Sequence, residues 1–458
     1  MFQLYLLLRL KNFGRIVIEL GIFRIVFLTI LTVAAIMILF LAENRFVIPV
    51  VCVLLLASYH NYRKDKEFLH TLTSHLPVFL IKEYTLITLP FAGMEMIKGY
   101  SHKPMGTVAL GTHLGNFSKE DSLKYVEAIK YAVQNGIYSI DGAINYRGMC
   151  SERDEGVALA ELMNSGIITR EEVFISSKAG LLYGDISAKL PPMKYLSEKL
   201  ENKGISIEDF SEYEGLFQTL NPAFYEIALN KSLENLGLEM IDVYYIHIPE
   251  ITKLKLTEDE FYEKMEMLIR WYETKCFEGK IRYYGIAFEF MVEEPFENKW
   301  HIEIERIKNI ARKVSGEKNH FKYILFEYNI MCDWADTVKS QMIDGVKMTM
   351  IEACKALELE TVASMPFAMG DGFKKYALSD MLDFVLKKMN HVIVGSKNPK
   401  HIEEILRCWR GNLSECSGRQ RFSGTDLVEI AKCNNVSKRT IYRYKAYYEE
   451  MKEAESEK

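Results

Sequence analysis

TVALGTHLGNFSKEDSLKYVEAIKYAVQNGIYSIDGAINYRG, residues 107–148, is the stretch whose reading decides the fold. It opens on a short apolar run, 107–112, of strand length. A helix pattern follows in 118–136: Ser118 is placed to cap it, Asp121 stands three residues on, and Gly136 ends it. A second apolar run, 138–142, carries Asp141 near its end, and Tyr146 lies five residues further on in the loop. Strand, helix and strand in that order argue for a parallel sheet built from repeated units.

The unit recurs. Candidate strands fall at 107–112, 138–142, 172–178, 241–247, 281–287, 323–329, 360–366 and 391–396, with amphipathic helix patterns between them. Eight such units over about 300 residues match an α/β fold of the closed (β/α)8 type, a TIM barrel, better than an open doubly wound sheet. LGTHLGN, after the first strand, lacks the G-x-G-x-x-G spacing of a dinucleotide-binding turn. FISSKAG and IDVYYIHIP deliver Lys178 and His247 near the ends of two further strands. In a parallel barrel the strand ends open onto one face, where active sites sit. A carboxylate (Asp141), a phenol (Tyr146), an ammonium (Lys178) and an imidazole (His247) converging there would make a proton-donating site. Singly, each has a plain structural reading: a packed ring, a solvated lysine, a turn-forming aspartate or a satisfied loop histidine. About 40 residues separate Lys178 from the next helix near Phe224, and an insertion on this face is expected to shape the substrate mouth.

The remainder of the chain is organised around this repeat. At 458 residues it is long enough for a large core with appendages, and its net charge of −5 gives no general affinity for nucleic acid. Its eight cysteines are scattered with no C-x-x-C pair, which points away from metal or iron–sulfur ligation and from a disulfide framework. Residues 25–42, IVFLTILTVAAIMILFLA, form an uncharged apolar run. As a helix it would span about 27 Å, close to the hydrocarbon thickness of a bilayer. A shorter run, 46–59, follows, with Pro49 near its start. Arg9, Lys11, Arg15 and Arg24 precede the pair, and Arg63, Lys64 and Lys66 follow it. Positive flanks on both sides predict a transmembrane helical hairpin over 1–66 with both ends, and the barrel, in the cytoplasm. A signal peptide, a buried helix pair and an interfacial anchor are the competing readings. Residues 67–104 read as a connector, 105–410 as the barrel, and 411–458 as a short helical tail with a disordered end. The tail segment TDLVEIAKCNNVSKRTIYRYKAYYEEM has a helix-turn-helix look, with Lys432, Lys438, Arg439, Arg443 and Lys445. A helical hairpin with solvated lysines is favoured over a nucleic-acid contact.

Taken together, the stretch from VALGTHLGN through SIDGAINYRG to FISSKAG, with YYIHIP further on, resembles an aldo-keto reductase over roughly residues 105–410. The resemblance implies a (β/α)8 barrel that reduces a small-molecule carbonyl with NADPH, NADH being the less expected cofactor. It also implies roles. Tyr146 would give a proton to the carbonyl oxygen, Lys178 beside the phenol would favour the phenolate, Asp141 would hold Lys178, and His247 would orient or polarise the carbonyl. HVIVGSKNPKHIEEILR (391–407) resembles the family's cofactor tail. It places Ser396 and Lys397 at the adenosine-side phosphate, His401 where an arginine is common, and Glu404 at the adenine. Gly111 and Thr112, at the end of the first strand, complete the expected cofactor contacts. The chain departs from the family at Ile405, at Ala287-Phe288, at Leu325 and in VASMPFAMGDG, so an altered nicotinamide grip is expected. Two other functions are compatible with these features: a membrane-tethered barrel that binds or senses without turnover, and a DNA-binding regulator acting through the tail.

Overall fold

Strands buried on both faces must be apolar throughout rather than alternating. The sequences VALG, IDVYYIH, FKYILFE and HVIVG are apolar or aromatic along most of their length, with charged residues only near their ends, and nearly all their residues are buried. The computed structural model describes residues 102–289 and 298–411. Within them the strands are β1 (Val108–Gly111), β2 (Ser139–Asp141), β3 (Phe174–Ala179) and β4 (Ile241–His247). They continue with β5 (Ile281–Ala287), β6 (Phe321–Glu327), β7 (Glu360–Ser364) and β8 (His391–Gly395). Each pairs in parallel with its sequence neighbours, and β8 pairs with β1 to close the barrel. The expected β/α repeat is thus the observed one, with strand bounds shifted by a residue or two.

Among the described residues eight helices of seven residues or more pack outside: α1 (Lys119–Gln134), α2 (Cys150–Asn164), α3 (Pro222–Leu236) and α4 (Glu258–Phe277), then α5 (Ile304–Ser315), α6 (Met350–Ala356), α7 (Leu378–Leu386) and α8 (Pro399–Trp409). Their starts are written locally. Ser118 accepts the Asp121 N–H at 3.2 Å, and Thr257 and Thr349 form capping boxes with Glu260 and Glu352. The core has two layers. Inside the barrel Ala109, Phe174, Val243, Tyr245, Tyr323 and Val362 fill the axis. Between strands and helices lies a larger apolar layer that includes Ile129, Ile140, Leu159, Ile246 and Ile324. Each fully buried large apolar side chain contributes about 1.5–3 kcal/mol.

Register decides what reaches the C-terminal rim. Gly111 lies opposite Asp141 and Gly395, Asp141 opposite Ser176, Lys178 opposite Tyr245, and His247 opposite Ala287. Asp141, Lys178 and His247 therefore emerge at the same end. The long insertion after β3 is ordered into short helical turns and an antiparallel hairpin, Ser211–Tyr213 with Leu216–Gln218. A Leu181–Gln218 bridge ties that hairpin to the chain leaving β3. Among the described residues no helix is long and apolar enough to cross a membrane. The expected hairpin over 1–66, most of the connector 67–104 and the helical tail beyond residue 411 lie outside the described residues.

Candidate active site

β2 ends on Asp141 and β3 carries Lys178 to the same rim, where the two form an ion pair. Lys178 Nζ donates to Asp141 Oδ2 at 2.6 Å and to the Gly142 carbonyl at 2.8 Å. Ser176 Oγ donates to the other carboxylate oxygen at 2.7 Å. The lysine and aspartate side chains are 1% and 5% exposed. Charges this deep persist only when paired and hydrogen-bonded, so each fixes the other. The Tyr146 ring lies over this ammonium, 4.9 Å from Nζ to its centroid. His247, at the end of β4, meets the same ring edge-on at 5.8 Å. Burial, reinforced by the charges of Lys178 and His113, holds the His247 imidazole well below its ordinary pKa. A neutral ring keeps one N–H to donate. Its Nδ1 is buried and meets no hydrogen-bonding partner within the described structure.

Tyr146 is presented by a tight turn, Tyr146–Met149, between β2 and α2. Arg147 and Met149 have φ of 48° and 71°, a left-handed backbone uncommon outside glycine. The turn is held from beneath. Arg147 is buried, pairs with Asp154 of α2, and lies 4.4 Å over the Tyr125 ring of α1.

Tyr146, Asp141, Lys178 and His247 all line one cavity of about 850 Å³ that runs to the start of α8. The expected cofactor residues Gly111, Ser396, Lys397, His401 and Glu404 line it too. At Gly111 a Cβ would come within 2.7 Å of Ile393 Cγ2, so the wall there is bare backbone by necessity. Thr112 corrects the sequence expectation. It is not among the lining residues, and its hydroxyl is committed to Ser151 Oγ at 2.5 Å, Glu155 Oε1 at 2.7 Å and the Asp141 carbonyl at 3.1 Å. One residue past the strand, the side chain has turned into the barrel wall. At the other end Ser396 Oγ accepts the Asn398 N–H at 3.1 Å, and Asn398 caps α8 through the Lys400 N–H. A helix start with a serine and basic neighbours suits a phosphate. The cavity's reach from Tyr146 to the start of α8 and its bare-backbone wall at Gly111 fit a dinucleotide with a carbonyl compound beside it.

Sequence reading missed two features of this cavity, the place of His113 and the engagement of Lys397. His113, at the exit of β1, packs its ring 4.5 Å from that of Tyr146, and its place just past a strand end was the available signal. Leu181, from the long insertion, lines the cavity, so the insertion does reach the site. Lys397 does not face the cavity as a free cation, because its Nζ donates to Asp121 Oδ2 at 2.6 Å. Ala287, Phe288 and Leu325, where the sequence departs from the family it resembles, form an apolar wall of the cavity.

Aldo-keto reductase AKR2E4 of Bombyx mori is 30% identical over 165 residues, 36% of this chain and 40% of that protein. Glyoxal reductase of Bacillus subtilis is 27% identical over 248 residues, 52% of this chain and 67% of that protein. The chain thus matches well under half the length of the silkworm relative. Among solved structures, aldo-keto reductase AKR2E5 complexed with NADPH superposes with a TM-score of 0.43 at 18% identity, covering 72% of this chain and 84% of that one. The sequence profile of the aldo/keto reductase family matches residues 104–417, more than half of the chain, and the chain belongs to that family.

Proposed function

We propose that the chain is an NADPH-dependent reductase of a small aldehyde or ketone, with Tyr146 as proton donor. The observation that carries this is the buried Lys178–Asp141 pair beneath the Tyr146 ring, with neutral His247 beside it on one cavity wall. When bound, the cofactor supplies a hydride to the carbonyl carbon. The protein's task is then at the oxygen, where negative charge develops. Tyr146 gives its hydroxyl proton to that oxygen. The Lys178 ammonium offsets the charge left on the phenol, and Asp141 keeps the ammonium in place. His247 donates a hydrogen bond to the same oxygen and orients the carbonyl. The 2′-phosphate of NADPH would be met by Ser396, Lys397 and His401, which line the cavity with Glu404, the residue that would meet the adenine.

The Bacillus relative is named for glyoxal, a small dicarbonyl, and a small carbonyl compound of that class is the substrate we propose. The apolar wall at Ala287, Phe288 and Leu325 favours a second reading, a barrel that binds the dinucleotide without turning it over. Tyr146→Phe separates the two. The phenyl ring keeps the packing but has no proton to give, so kcat should fall by about 10²–10⁴-fold while NADPH binding is unchanged. Equal turnover in variant and wild type contradicts the proton-donor role. We infer likewise that residues 1–66 attach the barrel to a bilayer, on the strength of the apolar run at 25–42 and its basic flanks.

A further inference from the structure

Lys397 stands where a 2′-phosphate would need a cation, and its ammonium is already engaged. Nζ donates to Asp121 Oδ2 at 2.6 Å, across 276 residues of sequence. The pair joins the start of α8 to the first turn of α1, next to it round the barrel. Its two ends differ. The lysine side chain is 32% exposed and lines the cavity, whereas the aspartate side chain is 6% exposed. Asp121 is also fixed from the protein side. The same oxygen accepts the Asn116 N–H at 2.6 Å, and a Cβ on Gly115 would come within 2.8 Å of it. Burial alone would raise this carboxyl, but the Lys397 and Asn116 hydrogen bonds bring it below the ordinary range. Lys124 adds a cation nearby, with its own ammonium 2.7 Å from Glu120.

A buried carboxylate cannot give up the cation hydrogen-bonded to it cheaply. An incoming 2′-phosphate must therefore draw Lys397 away from Asp121 or share it, with two anions facing each other across one ammonium. NADH has a hydroxyl at that position and makes no such demand. We propose that Asp121 is a specificity-determining residue: it competes with the cofactor's 2′-phosphate for Lys397, and so limits how strongly the chain prefers NADPH to NADH. The inference rests on the reading of this cavity as an NADPH site. It turns that reading around at one point, because the cation expected to create the preference is held in check by a second residue.

The test is a fluorescence titration of the full chain with NADPH and NADH, and with adenosine 2′,5′-bisphosphate and AMP as probes lacking nicotinamide. Wild type, Asp121→Asn, Lys397→Met and the double variant are compared. Asparagine keeps an acceptor for the Asn116 N–H, so the turn should survive. Asp121→Asn should bind NADPH and the bisphosphate at least roughly fivefold tighter, with NADH and AMP nearly unchanged, as expected for a charge-assisted contact freed of its competitor. The gain should vanish when Lys397 is methionine. A parallel shift for ligands with and without the phosphate, or a gain that survives Lys397→Met, overturns the proposal, since a loop strap would behave that way. If neither dinucleotide binds but the bisphosphate still responds to Asp121 through Lys397, the competition stands and the nicotinamide reading falls.

Discussion

Behind the Lys178–Asp141 pair lies a further carboxyl, Glu155, on α2. Its Oε1 accepts from Thr112 Oγ1 at 2.7 Å and Ser151 Oγ at 3.2 Å. It also packs against Gly142, where a Cβ would fall 2.3 Å away, and the Gly142 carbonyl is the one that holds Lys178. Burial pushes the Glu155 carboxyl up to about 8 from 4.5; repulsion from Glu152 and Asp141 adds to this, and the Thr112 and Ser151 hydroxyls oppose it. The sign of the consequence is fixed. The unfolded acid ionises near 4.5 and the folded one near 8, so between those values the folded state holds a proton that the unfolded state has lost. This contribution to stability therefore declines as pH rises from about 4.5 to about 8 and is level above. In Glu155→Gln that decline should disappear. Thermal melts of both proteins at about pH 5 and about pH 8.5 should show the variant gaining on wild type at the higher pH. An equal difference at both pH values would contradict the assignment.

The turn Tyr146–Met149 is the element on which the site depends, and it rests on the Arg147–Asp154 pair. Removing one partner of a buried ion pair leaves the other uncompensated. Asp154→Ala should cost about 3–5 kcal/mol in denaturant unfolding. Its kcat should drop as well, because Tyr146 loses its platform while the cofactor end of the cavity is untouched. Unchanged stability and unchanged kcat would show that the turn holds itself. Local pattern made the strands legible in sequence, since doubly buried strands are continuous apolar runs and their ends mark the rim. The cap at Ser118 was legible for the same reason: donor and acceptor lie three residues apart. The Tyr146 turn was only partly legible: Gly148 marks a left-handed position, but Arg147 and Met149 on either side adopt the same backbone with no local signal. The direction of Thr112 was not legible, because it depends on Ser151 and Glu155 from α2. The Asp121–Lys397 pair joins opposite ends of the barrel sequence, and no local pattern carries such a contact.

Over the whole molecule, eight strand–helix units close on themselves through the β1–β8 pairing, so the barrel has no edge that needs residues 1–66 to cover it. Deleting residues 1–66 should release a folded protein into the soluble fraction, read by fractionation and circular dichroism. Retention on membranes would place the attachment elsewhere in the chain. The central claim, however, concerns chemistry on the barrel rim: a hydride reaching a carbonyl carbon while Tyr146 protonates the oxygen. It is tested most directly by supplying NADPH deuterated at the transferring position with a panel of small aldehydes, ketones and dicarbonyls, and reading the alcohols by mass spectrometry. The account predicts alcohol carrying one deuterium with wild type, formed about 10²–10⁴-fold more slowly with Tyr146→Phe although that variant still binds NADPH. Wild type that binds NADPH yet labels no alcohol, or Tyr146→Phe that labels as fast as wild type, would contradict it.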